Sequence, residues 1–248
     1  NCWNVGVEGF RLGNSPAWML SLWACDDIQV NGIQIRNPLW AINTDGLDVV
    51  GCRNVRITDC DIRTGDDAIC LKSIKARDGG RPVSNVVVTN CLLNSATNAF
   101  KLGTDSQTGF ENIAFSNSVI YSDEEDISLR TISGISFECV DGGVLENVAV
   151  SNITMRNVRA PFFLRLGNRG RGQETPVPGT LKNVTLDRIR VQGAFITALL
   201  SGLPGHPIED VRLTDIEIET EGGGTEEMAR REIPELPDAY PEAFMFGR

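Results

Sequence analysis

Three aspartates stand close together in the stretch INTDGLDVVGCRNVRITDCDIRTGDDAICLKS, residues 42–73: Asp45 in NTDG, then Asp66 and Asp67 in GDD. Each cluster leads into an apolar, strand-like run. Carboxylates grouped in this way repel one another, which lowers stability and raises at least one pKa. Hydrolysis of a glycosidic bond is a chemistry that uses such a group, because one acid protonates the leaving oxygen while another carboxylate activates water. A lone Asp45 would read as a turn residue. The chemical reading therefore depends on whether the fold brings all three to one place.

A repeat answers that. The segments NVGVEGFRL (4–12), DIQVNGIQI (27–35), NVRITDCDI (54–62), NVVVTNCLL (85–93), NIAFSNSVI (112–120), NVAVSNITM (147–155), NVTLDRIRV (183–191) and DVRLTDIEI (210–218) align without a gap. Position 1 is Asn or Asp, and positions 2, 4 and 9 are apolar in every copy. The alternation has period 2 and is dominated by β-branched residues, so these are strands. The alternation changes phase between positions 4 and 7, which predicts a bend where Gly9, Gly32, Asp59, Asn90, Asn117, Asn152 and Asp215 occupy position 6. Two strands and a bend recurring every 23–36 residues describe the coils of an all-β, right-handed parallel β-helix. A leucine-rich repeat needs LxxLxLxxN, which is absent, and a propeller blade needs four strands per repeat. Residues 1–220 read as one solenoid domain, with a long loop at 167–180. Residues 221–248 lose the repeat and read as an irregular acidic tail, either packed along the helix or cut before another coil.

A third strand precedes most repeats: DGLDVV (45–50), DAICLKS (67–73), NAFKLG (98–103), GISFEC (134–139), FFLRLG (162–167) and ITALLS (196–201). Stacked, these form a second parallel sheet whose outward residues should line a solvent-facing groove. Asp45 and the GDD pair open successive strands 21 residues apart, one coil, so the three carboxylates should meet in one wet pocket. Consecutive strand residues face opposite ways, so Asp66 and Asp67 require a kink, which Gly65 would permit.

Composition sets the bounds. The 248 residues carry a net charge of −10, which argues against nucleic-acid binding and requires a local basic pocket for any acidic substrate. No apolar run approaches the length of a membrane span, and the first residues do not read as a signal peptide. The start at Asn1-Cys2-Trp3 fits a mature form, a fragment or a trimmed chain. The seven cysteines show no metal spacing and read as buried packing thiols, with Cys60 above Cys91 in the stack. His206, in LPGHP, reads as a loop residue and Asp48 as a local hydrogen-bond partner. Trp18 and Trp23 read as packing residues, while Trp40 could border the cleft. The run Asp123–Asp126 reads as a solvated loop rather than a calcium site.

NTDG followed one coil later by GDDA, within NV/NI-strand repeats, resembles glycoside hydrolase family 28, the polygalacturonase-like β-helix enzymes of the pectin-lyase-like fold. The resemblance runs from NSPAW (14–18) to LPGHPIEDV (203–211). It implies hydrolysis with inversion, Asp66 as general acid, and Asp45 and Asp67 holding and deprotonating the water. Inversion asks for a spacing of roughly 6.5–9.5 Å between acid and base. Two positions depart from the family pattern. Asn98, in TNAFKLGTDS, stands where GHG carries its histidine, and Ser136-Phe137-Glu138 replaces the RIK motif that grips a substrate carboxylate. The expected substrate-binding residues are Asn98, Lys101, Asp105, Glu138, Arg165 and Lys72, with Arg165 the best placed cation and Arg130 a further basic candidate. The resemblance implies a hydrolase of altered specificity acting on a pectic or other plant cell-wall-type polysaccharide or oligosaccharide. It implies a monomer with no metal or cofactor, no membrane or nucleic-acid partner, and a secreted or periplasmic location. A β-helix polysaccharide lyase and a non-catalytic carbohydrate-binding β-helix are the alternatives.

Overall fold

The computed structural model describes residues 1–75 and 80–246. The chain winds as a right-handed parallel β-helix. Val55 pairs with Ile28 on one side and with Val86 on the other, so equivalent repeat positions stack coil on coil. The strands form a 12-stranded sheet that carries the repeats and a 7-stranded sheet made of the third strands. The second sheet runs, in stacking order, Leu20–Trp23, Leu47–Val50, Ile69–Ser73, Asn98–Ser106, Ser133–Cys139, Ala160–Leu166 and Leu199–Ser201. It is called the site sheet below.

In the inner coils, repeat positions 2, 4, 7 and 9 fill the space between the sheets. Ile28, Val30, Ile33 and Ile35 in one coil, and Val55, Ile57, Cys60 and Ile62 in the next, are at most 1% exposed. Burying one such side chain stabilises by about 1.5–3 kcal/mol, and the stacking repeats that gain at every coil. Cys60 and Cys91 are buried free thiols, one above the other.

The change of phase comes from the corner expected at position 6, and a second corner stands at position 1. Position 6 is left-handed as its residues predict, with φ of 57° at Asp59 and Asn90. Position 1 is left-handed as well, with φ of 56°, 56°, 57° and 58° at Asn54, Asn85, Asn112 and Asn147. Asn and Asp enter this region at lower cost than other side chains because their short polar groups bond locally. Here they bond along the stack. The amide of Asn85 donates to Asn54 at 2.9 Å, Asn112 to Asn85 at 3.2 Å, and Asn147 to Asn112 at 3.2 Å.

Gly65 is required for a different reason from the one expected. A Cβ there would lie 2.1 Å from the carbonyl oxygen of Ala41 and 2.7 Å from that of Pro38. The glycine lets the loop before NTDG pass directly over the GDD turn.

Beyond Thr220 the only helix among the described residues is Glu226–Arg230, capped by the Thr225 side chain. It is neither long nor apolar enough to cross a membrane. The following segment crosses the outer face of the site sheet. Asn168 donates its N–H to the Pro237 carbonyl at 2.6 Å, and Ala243 packs with Ala160 and Phe163.

Candidate active site

The strand starts bring the three aspartates together. The N–H of Gly46 donates to the Asp67 carbonyl at 2.8 Å, and that of Ala68 to the Asn98 carbonyl at 2.9 Å, which sets three successive turns in register. Between Gly65 and Ala68 the chain bends out of strand geometry, so consecutive aspartates can face one place. The Thr97 hydroxyl lies 3.0 Å from Asp66 Oδ1 and 2.9 Å from Asp67 Oδ1, so these two oxygens stand closer together than the roughly 6.5–9.5 Å expected between acid and base for inversion. With one proton it donates to one of them at a time. Asp66 also accepts the N–H groups of Asn43 at 3.0 Å and Asp67 at 2.9 Å. The Asn98 amide donates to Asp67 at 2.7 Å. One oxygen of Asp45 lies within 4.8 Å of one on Asp67.

Two lysines thread this group. Lys72 Nζ is 2.6 Å from Asp45 Oδ2, also bonds Asp48, and sits 3.9 Å from the centre of the Trp18 ring. Lys101 Nζ is 3.2 Å from Asp67 Oδ2 and 3.5 Å from Glu138 Oε2, while Ser136 donates to the other Glu138 oxygen at 2.7 Å. The outer face of the site sheet is thus an alternation of unlike charges, and it is closed. Asp45, Asp48, Asp67, Lys72, Lys101 and Glu138 are all buried. The solvent-facing groove and shared wet pocket expected from the sequence do not extend over these residues. Of the three aspartates, Asp66 alone is partly exposed.

Burial and charge drive the carboxyls apart. Burial pushes Asp45 up to about 8; Lys72 opposes the rise, and the charges of Asp48, Asp67 and Asp66 add to it. Asp48 rises for the same leading reason. Asp67 is also buried, but Lys101, Lys72, Asn98 and Thr97 outweigh burial and hold it below its ordinary value. Burial raises Glu138 against the pull of Lys101. Lys101 stays protonated because Asp67 and Glu138 outweigh its burial. Neighbouring carboxyls with opposed shifts are suited to opposite roles in proton transfer.

The other expected binding residues divide. Asn98, Lys101, Glu138 and Lys72 belong to the patch. Asp105 does not touch it; its carboxylate faces Arg171 at 2.7 Å and Arg169 at 3.6 Å. Arg165, the cation judged best placed for a substrate carboxylate, is 1% exposed. Its guanidinium donates to Ser201 at 2.7 Å and to the carbonyls of Gly202 at 3.2 Å, Glu235 at 2.6 Å and Leu236 at 3.2 Å. No acid of the patch is among those partners.

Asp48 is more than a local partner, since it shares Lys72 with Asp45. Trp40 is 75% exposed beside NTDG, and His206 lies in an exposed turn. Glu124 accepts from Arg63 at 2.7 Å, Asp123 bonds Arg156 and Asp126 caps Ser128, so three of the four acids in the run are engaged by the protein's own groups. The sequence reading missed Thr97, which adjoins Asn98 and shares the GDD register, a signal that was available. It also missed Arg169 and Tyr240, which lie in non-repeating segments with no periodic cue.

Among the described residues, only Asp45, Asp67 and Cys70 group atoms suited to holding a metal. The ammonium groups of Lys72 and Lys101 already face the Asp45 and Asp67 carboxyls. The Cys70 thiol, pushed well up by burial, donates to the Gly103 carbonyl at 3.1 Å. Those features favour lysine counter-charges over an ion.

Comparison with known proteins agrees with this architecture. The family model described as glycosyl hydrolases family 28 matches residues 1–235. A probable polygalacturonase of Vitis vinifera is 25% identical over 226 residues, spanning 87% of this chain and 44% of the relative. An endo-polygalacturonase of Pectobacterium carotovorum subsp. carotovorum is 25% identical over 207 residues, spanning 74% of this chain and 50% of the relative. This chain therefore spans about half the length of the curated relatives it matches. The structure of a hyperthermoactive exopolygalacturonase from Thermotoga maritima superposes with a TM-score of 0.73 at 22% identity, over 88% of this chain and 48% of that one. A polygalacturonase from Erwinia carotovora ssp. carotovora gives 0.63 at 19% identity, over 84% and 52%. At these identities the structural likeness speaks to the fold.

Proposed function

The chain belongs to family 28 of the glycosyl hydrolases, and from that premise we propose that it hydrolyses glycosidic bonds in a pectic or related plant cell-wall-type polysaccharide or oligosaccharide, with inversion at the anomeric centre. The observation that carries the reading is the grouping of a partly exposed Asp66, an Asp67 held below its ordinary pKa, and an Asp45 pushed up to about 8, around Thr97 and two lysines. Asp66, nearest solvent, donates a proton to the leaving oxygen. Asp67, kept ionised by Lys101, takes a proton from the attacking water. Asp45, carrying its proton across the neutral range, orients that water with Lys72 behind it. A general acid and base placed in this way contribute about 10²–10⁴-fold each.

The charges of the site support altered specificity. The relatives bear the name polygalacturonase, and the polymer class is taken from them. The sugar is inferred from this chain's own side chains. Lys72, Lys101, Arg165 and Arg169 are each engaged by the protein's own carboxylates or carbonyls. Glu138 adds a carboxyl where the family resemblance places a uronate-gripping cation. This arrangement favours a neutral sugar at the cleavage site. A polymer substrate of this kind is met outside the cytoplasm, which supports a secreted or periplasmic location.

The test is a reducing-sugar screen over pectic and neutral polysaccharides, with NMR of the first-formed anomer. Release on neutral or mixed polymers with the inverted anomer first is expected. A retained anomer would overturn the mechanism. An unsaturated product, lost on chelation, would point to a lyase. Binding without turnover would point to a non-catalytic module.

A further inference from the structure

The outer face of the site sheet differs on the two sides of the aspartates. Towards the C-terminal coils it is covered by the chain itself. Arg165 clasps the Glu235 and Leu236 carbonyls, and Asn168 holds that of Pro237. Thr104 donates to the Tyr240 hydroxyl at 3.1 Å. The Tyr240 ring then lies 5.8 Å from Lys101 Nζ and 6.0 Å from the Arg169 guanidinium, within reach of both cations. Farther along, Ala243, Phe244 and Met245 pack with Phe163, Ile196 and Leu199, and the Phe246 ring is 5.3 Å from Arg165. From the strand of Lys101 to that of Leu199, the segment around residues 235–246 lies where a polymer would continue. Towards the N-terminal coils this segment makes no contact among the described residues. Asp66 borders exposed Asn43, Ile42 and Trp40, and Trp23 is 47% exposed, stacked on Trp18 at 6.3 Å between ring centres. Strands stack at about 4.8 Å, so the closure begins one coil beyond Asp67.

We propose that Tyr240 and the segment around it make the groove blind on its C-terminal side, so that the site takes the end of a saccharide chain and releases short products rather than cutting within a polymer. Tyr240 is a specificity-determining residue in this scheme. It sits on the ion-paired wall formed by Lys101 and Arg169 and stops the chain there. The inference rests on the hydrolase reading for its products, but its geometry can be tested without turnover.

Two readouts decide it. On the best polymer from the screen, the full chain releases one small product from the outset, and viscosity falls slowly relative to reducing ends. Tyr240→Ala broadens the first products to a range of sizes and slows chain-end release at least tenfold, while Tyr240→Phe, which keeps the ring, stays within about threefold of the parent. Arg165→Met, which unfastens the segment at a second point, shifts products in the same direction as Tyr240→Ala. In Asp66→Asn protein, an oligosaccharide bearing a bulky fluorophore at one end binds at least tenfold more weakly than the same oligosaccharide labelled at the other end. Early internal cuts by the parent, or equal binding of both labelled forms, overturns the blind groove. End-dependent binding with no hydrolysis of any saccharide overturns the hydrolase reading and leaves the blind groove standing.

Discussion

The outward corner of the repeat sheet and the outward face of the site sheet solve the same problem in opposite ways. Both must satisfy a column of polar side chains at strand spacing. At the corner, Asn85, Asn112, Asn147 and Asn183 each donate an amide N–H to the asparagine of the previous coil, and Asn54 donates to Asp27 at the foot of the column. An amide is both donor and acceptor, so like stacks on like without charge. On the site face, carboxylates cannot stack on carboxylates. Asp45, Asp48, Asp67 and Glu138 are interleaved with Lys72 and Lys101, away from water. The corner adds stability with each repeat. The face is a balanced but fragile set of buried charges, in which loss of one member leaves another uncompensated. Of these two surfaces, only the second gives identical carboxyl groups different proton affinities.

This contrast can be broken at graded points. The largest effect should fall on activity: Asp66→Asn lowers turnover about 10³-fold or more while saccharide binding and melting temperature hold, measured by initial rates, titration and calorimetry. Next, Lys101→Met strands Asp67 and Glu138 and should cost about 3–5 kcal/mol in denaturant unfolding. Adding Glu138→Gln to that variant should recover part of the loss; no recovery would mean that the two carboxyls do not share Lys101.

Stability should also depend on pH through Asp45. Its folded pKa of about 8 lies above the ordinary carboxyl value of 3.8, so between these limits the native state binds more protons than the unfolded state. Stability then falls as pH rises from about 4 to about 8. A contribution of roughly 2 kcal/mol is expected after allowing for screening and relaxation. Asp45→Asn should flatten that slope in melts across the range.

The smallest effect should appear at the corner. Asn112→Ala loses both of its ladder bonds, to Asn85 and from Asn147, and places an alanine at φ 57°, costing about 1–2 kcal/mol. Asn112→Gly keeps the conformation accessible and should cost less. Equal losses would remove the backbone from the explanation.

Much of this was legible in the residues. The repeat 54–62 against 85–93 carries its own register, because inward side chains recur with period 2 and Asn or Asp marks the corner. That fixed the coils, and the coils put Asp45 beside Asp67. The left-handed corner at position 1 was equally written in the Asn column, but hydrophobic alternation alone does not distinguish a strand start from a turn. Which cation answers which acid was not legible. Lys72 reaches back to Asp45 and Asp48, and Lys101 lies between Asp67 and Glu138, because side-chain reach and burial decide those pairings.

The amino-acid pattern by itself determined the solenoid, its stacking order and the meeting of three aspartates, since each follows from short-range periodicity repeated along the chain. Tertiary structure alone decided that the face beside them is closed, that Arg165 holds the Glu235 carbonyl 70 residues away, and that Tyr240 reaches the cations near the site. Contacts between a repeating body and a non-repeating tail have no period to read. They are settled by which surfaces can exclude water together once the coils exist.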